Sequence, residues 1–142
     1  MKNEQIDLYL GTSLTDKQNI LEFLYDASNL KGSVTQEVFF TQLEKRESQG
    51  SIEIAEGVIL PHFELEELSQ TKIIIVRPME GIINWSLKVK KVDVIVALFY
   101  KTGQNMNEIK RLMRMLSDDS FVEDLKKKDF EELTKILRNT KE

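Results

Sequence analysis

The chain has 142 residues, one histidine, no cysteine and a formal net charge of −4. That length suits one compact domain over residues 1–142 and is too short for two of ordinary size. The mildly acidic balance argues against general nucleic-acid binding, and the lack of cysteine excludes disulfides and thiolate metal sites.

Ile6-Asp7-Leu8-Tyr9-Leu10 predicts a short first strand. Thr15 and Gln18 form a capping box. Ile20, Leu21, Leu24, Ala27 and Leu30 follow at helical spacing, with Gly32 as the stop. Ser33 and Gln36 form a second box for a helix that carries Val38, Phe39 and Leu43 and ends at Gly50. Arg46 then falls in the last turn of that helix. Strands are predicted at 51–54, 58–60, 72–77 and 92–100. The runs at 73–76 and 94–98 are continuously apolar, as expected of strands covered on both faces.

Asn105 is placed to cap a helix whose stripe is Met106, Ile109, Leu112, Met113 and Leu116. Asp118 or Asp119 opens a short helix with Phe121, Val122 and Leu125. Asp129 and Glu132 open the last helix, with Phe130, Leu133, Ile136 and Leu137. The order of elements implies an α/β (α+β mixed) fold: one mixed parallel/antiparallel sheet of about five strands, with helices on both faces. Residues 1–7 lack the apolar core of a secretory signal. No apolar run reaches the roughly 18 residues of a membrane span. Both point to a cytoplasmic protein without membrane insertion.

His62 follows Val58-Ile59-Leu60 and the rigid Pro61. Proline lacks an N–H and fixes φ, so it suits a strand end. His62 is therefore expected to leave the core at the rim of the sheet. With no cysteine and no second histidine, chemistry needing a nucleophile near neutral pH must use this ring. Arg46 alone reads as a charge that favours a helix C-terminus. Ser51 reads equally as a turn residue or a hydrogen-bond donor, and Gly57 as a turn or a site of close backbone approach. Glu64, Glu66 and Glu67 read as a solvated loop, or less readily as an acidic rim for a basic partner. Trp85 and Phe99 read as core, and Lys110, Arg111 and Arg114 as a solvated strip.

The segment from Gly50 to His62 resembles the phosphorylation-site signature of the fructose/mannitol-type EIIA domains of the bacterial sugar phosphotransferase system. Arg46-Glu47, Glu80-Gly81-Ile82-Ile83-Asn84-Trp85, Val92-Asp93 and Leu116-Ser117-Asp118 also match family features in order. The resemblance implies that His62, through Nε2, accepts a phosphoryl group from phospho-HPr and passes it to EIIB for sugar uptake. It implies no cofactor and no metal, and it leaves homodimerisation open. Arg46, Ser51 and Asn105 become the candidate phosphoryl-stabilising residues. Two departures stand out: Asn105 falls where many members carry a second histidine, and Ile52 replaces a threonine-like position. These departures are compatible with a divergent transporter subunit or with an alternative, an EIIA-like regulatory domain of a sugar-operon transcription regulator, switched by phosphorylation.

Overall fold

The apolar runs at 73–76 and 94–98 become the central strands of a mixed sheet, apolar throughout because helices cover both faces. The structure, a computed structural model, describes residues 5–66, 68, 71–103 and 107–138. The elements in order are β1 (Gln5–Thr12), α1 (Lys17–Ala27), α2 (Gln36–Gln49), β2 (Glu53–Ala55), β3 (Val58–Ile59), β4 (His62–Leu65), β5 (Lys72–Pro78), β6 (Ile82–Ile83), β7 (Lys91–Val92), β8 (Val94–Lys101), α3 (Asn107–Leu116), α4 (Asp119–Lys127) and α5 (Phe130–Arg138). Across the main sheet the order is β1-β5-β8-β3-β2, and β4 also pairs with β8. β5 runs parallel to β1 and antiparallel to β8, while β3 and β4 run parallel to β8.

Alternation along the central strands divides the core in two. Ile74, Val76, Ile95, Ala97 and Phe99 meet Leu24, Phe39 and Leu43 of α1 and α2. Ile73, Ile75, Val94, Val96 and Leu98 meet Leu112, Leu116, Phe121, Leu125 and Leu133 of α3, α4 and α5. Trp85 and Phe99 are core residues, as expected.

Several boundaries move for identifiable reasons. Asp16, not Thr15, caps α1: its carboxylate accepts from the Asn19 N–H at 2.8 Å, and the Asn19 side chain reaches back to the Thr15 N–H at 3.3 Å. The helix ends at Ala27 rather than Gly32, because Asn29 takes the left-handed conformation at φ 63. Leu30, expected on the helix, is instead buried just beyond it. Thr35 replaces Ser33 as the cap of α2, accepting from Val38 N–H at 3.2 Å. Asp118 and Asp129 accept from backbone N–H groups at the starts of α4 and α5 as anticipated. Asn105 and Met106 lie outside the described residues, as does Glu67.

Two strand elements go beyond the sequence reading. β4 carries the segment expected as an acidic loop. Only Phe63 of its four residues is buried, so its polar text hid a strand. The predicted strand at 92–100 breaks at Asp93: Val92 pairs with Ile82 in a separate two-stranded hairpin, and β8 starts at Val94.

The break is fixed by Gly57. Its carbonyl accepts from both Asp93 N–H (2.7 Å) and Val94 N–H (3.1 Å), and its own N–H donates to Glu53 Oε2 at 3.0 Å. Gly57 sits at φ +80, and a Cβ there would lie 2.4 Å from Asp93 Oδ2. It is therefore both a turn and a close approach. Gly57→Ala should cost about 2–3 kcal/mol, from left-handed strain plus displacement of the Asp93 carboxylate. Urea unfolding measures this; an unchanged midpoint would show that the turn relaxes without loss.

Candidate active site around His62

β3 and β4 occupy one lane beside β8, interrupted at Leu60-Pro61. Val58 and Ile59 register with Val94 and Ile95, and His62 resumes the register at Leu98. In the gap, the Leu60 N–H donates to the Ile52 carbonyl at 2.8 Å, extending the antiparallel β2–β3 register. Pro61 has no N–H to give, but its carbonyl accepts from Leu98 N–H at 2.9 Å. The strand then restarts with Phe63 turned inward, 2 % exposed, edge-on to Phe39 of α2 at 5.2 Å between ring centroids. Because side chains alternate, His62 and Glu64 turn to the opposite face. The imidazole is thus held half-buried at the rim, as the sequence suggested.

Its hydrogen bonding selects one tautomer. His62 Nδ1 lies 3.3 Å from the Leu60 carbonyl oxygen, which can only accept. Nδ1 therefore carries the proton and Nε2 keeps its lone pair. Burial holds the imidazole pKa below its ordinary 6.5; the Leu60 carbonyl opposes that shift, and the Arg46 charge adds to it. The ring is neutral and nucleophilic at neutral pH.

Arg46 is brought to His62 by the last turn of α2. Its neighbour Glu47 is engaged elsewhere. Glu47 accepts from the Trp85 indole N–H at 3.0 Å and from Lys17 Nζ at 3.0 Å, and the Lys17 ammonium lies 5.1 Å from the Trp85 ring centroid. Glu47 is structural: it ties the end of α2 to α1 and to the loop after β6.

Two open grooves flank the imidazole. One, of about 420 Å³, is lined by Gln42, Lys45, Arg46 and Gln49 of α2 and by Glu64, Tyr100 and Thr102. The other, of about 310 Å³, is lined by Arg46, Gln49, Ser51, Leu60 and Met113. Ser51 is exposed, and its Oγ accepts from the Glu53 N–H at 3.1 Å, so it serves the turn while lining the groove. Of the four candidate residues, His62, Arg46 and Ser51 come together; Asn105 lies outside the described residues.

The sequence reading overlooked Gln42, Lys45, Gln49 and Tyr100. The α2 residues were legible: 42, 45, 46 and 49 form one polar stripe at helical spacing with Arg46. Tyr100 was hidden in an apolar strand. Met113, assigned to the core stripe of α3, is 41 % exposed and lines the second groove. Among the described residues, no group of three or more His, Cys, Asp or Glu side chains is placed to hold a metal ion. No helix among them is long and apolar enough to cross a membrane.

The fold is shared with three solved structures. The nitrogen regulatory protein IIA-Ntr from Neisseria meningitidis superposes with a TM-score of 0.69 at 21 % identity, covering 86 % of both chains. IIA mannitol from Escherichia coli gives 0.68 at 18 % identity, over 92 % of this chain and 95 % of its own. The complex of enzyme IIA-Mtl with phosphorylated enzyme IIB-Mtl, also from Escherichia coli, gives 0.67 at 18 % identity, over 94 % of each chain. No curated protein matches the chain by sequence. The sequence profile of the phosphoenolpyruvate-dependent sugar phosphotransferase system, EIIA 2, matches residues 1–140, and the chain belongs to that family.

Proposed function

We propose that this protein is a cytoplasmic phosphocarrier. In this reading residues 1–142 form one domain, and His62 takes a phosphoryl group from phospho-HPr and passes it to EIIB for sugar uptake. The observation that carries the reading is the hydrogen bond from His62 Nδ1 to the Leu60 carbonyl, which leaves Nε2 free on a ring that lines both grooves. The solved IIA–IIB complex of the mannitol system supports EIIB as the acceptor.

The chemistry follows from that tautomer. The Nε2 lone pair attacks phosphorus in line as the bond from phosphorus to the donor nitrogen breaks, and the donor leaves with the electron pair. Positive charge grows on the imidazole ring, and the Leu60 carbonyl stabilises it through Nδ1–H. Arg46 offers a planar fork of donors to the non-bridging oxygens. Ser51 and Asn105 are assigned as weaker donors on the family resemblance. Reversal of the same steps delivers the group to EIIB.

The regulatory reading uses the same phosphohistidine and differs in its fate. Its support is the fold shared with a nitrogen regulatory protein, together with Ile52, whose buried side chain supplies no hydroxyl to the site. Reconstitution with Enzyme I, HPr and phosphoenolpyruvate should add one acid-labile phosphoryl group, and His62→Ala should abolish it. Onward transfer to EIIB indicates a carrier, and retention indicates a switch. A wild-type chain that stays unmodified while a known EIIA is labelled sinks both.

A single histidine makes its titration unambiguous by NMR. The midpoint should lie below 6.5, with the Nδ1–H tautomer above it, and should rise toward 6.5 in Arg46→Ala. The folded-state value is the depressed one. Acidification through 6.5 therefore protonates the unfolded chain first and removes stability, a loss complete once the folded midpoint is passed. A midpoint above 6.5 would contradict the burial argument.

Arg46→Ala should slow phosphotransfer by roughly ten- to a hundredfold, the loss expected for a hydrogen bond to a charged group worth about 1.5–3 kcal/mol. Arg46→Lys should restore only part, lacking the fork. Single-turnover transfer from purified phospho-HPr measures both. Unchanged rates would return Arg46 to a helix-end charge.

A further inference from the structure

Three side chains meet on one face of adjacent strands, at the sheet rim. His62 and Glu64 alternate along β4, and Tyr100 of β8 is the register partner of Glu64. The imidazole and phenol rings lie 6.3 Å apart between centroids, tilted by 35°. The Tyr100 hydroxyl donates to Glu64 Oε1 at 3.4 Å, near the outer limit of a hydrogen bond. Across the same groove stands Arg46, whose charge acts on both the imidazole and the phenol.

We infer that Tyr100 is a phosphoryl-binding residue whose hydroxyl rests on Glu64 in the unmodified protein and transfers to a phosphoryl oxygen when His62 is phosphorylated. This rests on the carrier reading of His62. A phosphoryl group on Nε2 brings three strong acceptor oxygens and close to two negative charges into the groove. The hydroxyl is exposed to a direct competition. Its present acceptor is a distant, solvent-facing carboxylate; the new one would be a dianion fixed on the neighbouring ring. The same dianion repels Glu64, two residues along the strand, and drives that carboxylate toward solvent. Burial and the Glu64 charge both keep the phenol protonated, so it remains a donor in either state. No bond to hydrogen is broken in the exchange; the proton stays on the phenol oxygen throughout. The arrangement adds a neutral donor to a site in which the family resemblance puts Asn105 in place of a second histidine.

Tyr100→Phe keeps the ring and removes only the hydroxyl. Intact mass of wild type and variant after reconstitution with phosphoenolpyruvate, Enzyme I and HPr establishes whether each carries the phosphoryl group. The expected variant is phosphorylated and melts as wild type does, but accepts the group more slowly and loses it to hydrolysis faster, by about tenfold in each. Tyrosine labelled with 13C at Cζ gives a readout that a packing role would not move. The Tyr100 signal, assigned by its absence in the variant, should shift on phosphorylation, while Tyr9 and Tyr25 stay in place. A phosphorylated Tyr100→Phe protein with wild-type rate and lifetime, or a Tyr100 signal that does not respond, overturns this inference and leaves the carrier reading standing. A wild type that takes no phosphoryl group overturns the carrier reading, and this one with it.

Discussion

The site depends on the two-residue gap between β3 and β4. Across the gap the lane keeps its register with β8, from Val58↔Val94 to His62↔Leu98. The Leu60 N–H serves Ile52 on the β2 side, continuing the β2–β3 register, and Pro61 has no N–H to offer. The chain re-enters the ladder through the Pro61 carbonyl and Leu98, so His62 begins a new strand with its ring beside the Leu60 carbonyl it has just passed. The Leu60-Pro61 passage therefore sets the position and orientation of the ring, and the Leu60 carbonyl sets its tautomer. Phe63 secures the far side: packed against Phe39, it keeps β4 from turning over and carrying the imidazole inside.

A second division of labour lies in Arg46-Glu47. The two are adjacent in sequence and point to different tasks. Glu47 is held by the Trp85 indole and the Lys17 ammonium, which fixes the final turn of α2 against two other elements. Arg46 on the next stripe of the helix is thereby aimed at the rim. Trp85 belongs to the loop between β6 and β7, so the small hairpin acts on the site from a distance: it positions the helix that positions the arginine.

The central strands were legible as continuous apolar runs, and the helices by cap-forming residues followed by apolar residues at helical spacing. Pro61-His62 was legible because the single histidine of the chain directly follows a proline at the end of an apolar run. The strand at His62–Leu65 was not, since a single buried phenylalanine among acidic neighbours leaves almost no period to read. Helix starts slipped by one or two residues at Thr15/Asp16 and Ser33/Thr35, where two cap-forming side chains stand close together. Which one wins depends on the backbone that enters the helix, and that is a tertiary property. Tyr100 was invisible for another reason. It follows a run of six buried residues, and only the pairing with β4 reveals that its ring, packed at the margin of the core, stands beside Glu64 and His62.

The proposed phosphotransfer would set the site two opposed demands. A nucleophilic imidazole needs to be neutral, which half-burial and a nearby cation favour; a phosphorylated imidazole needs charge to hold a dianion. The end of α2 does not supply that charge by itself, because a helix C-terminus presents carbonyl oxygens and the negative end of its dipole. An anion at this rim must therefore be held by side chains. Arg46 meets both demands at once. Its charge depresses the pKa of the free ring and offsets the helix dipole, and in the proposed transfer its guanidinium is the donor to the phosphoryl oxygens. A lysine there would retain the first two effects and weaken the third, which makes the guanidinium the chemically selective feature of the helix end.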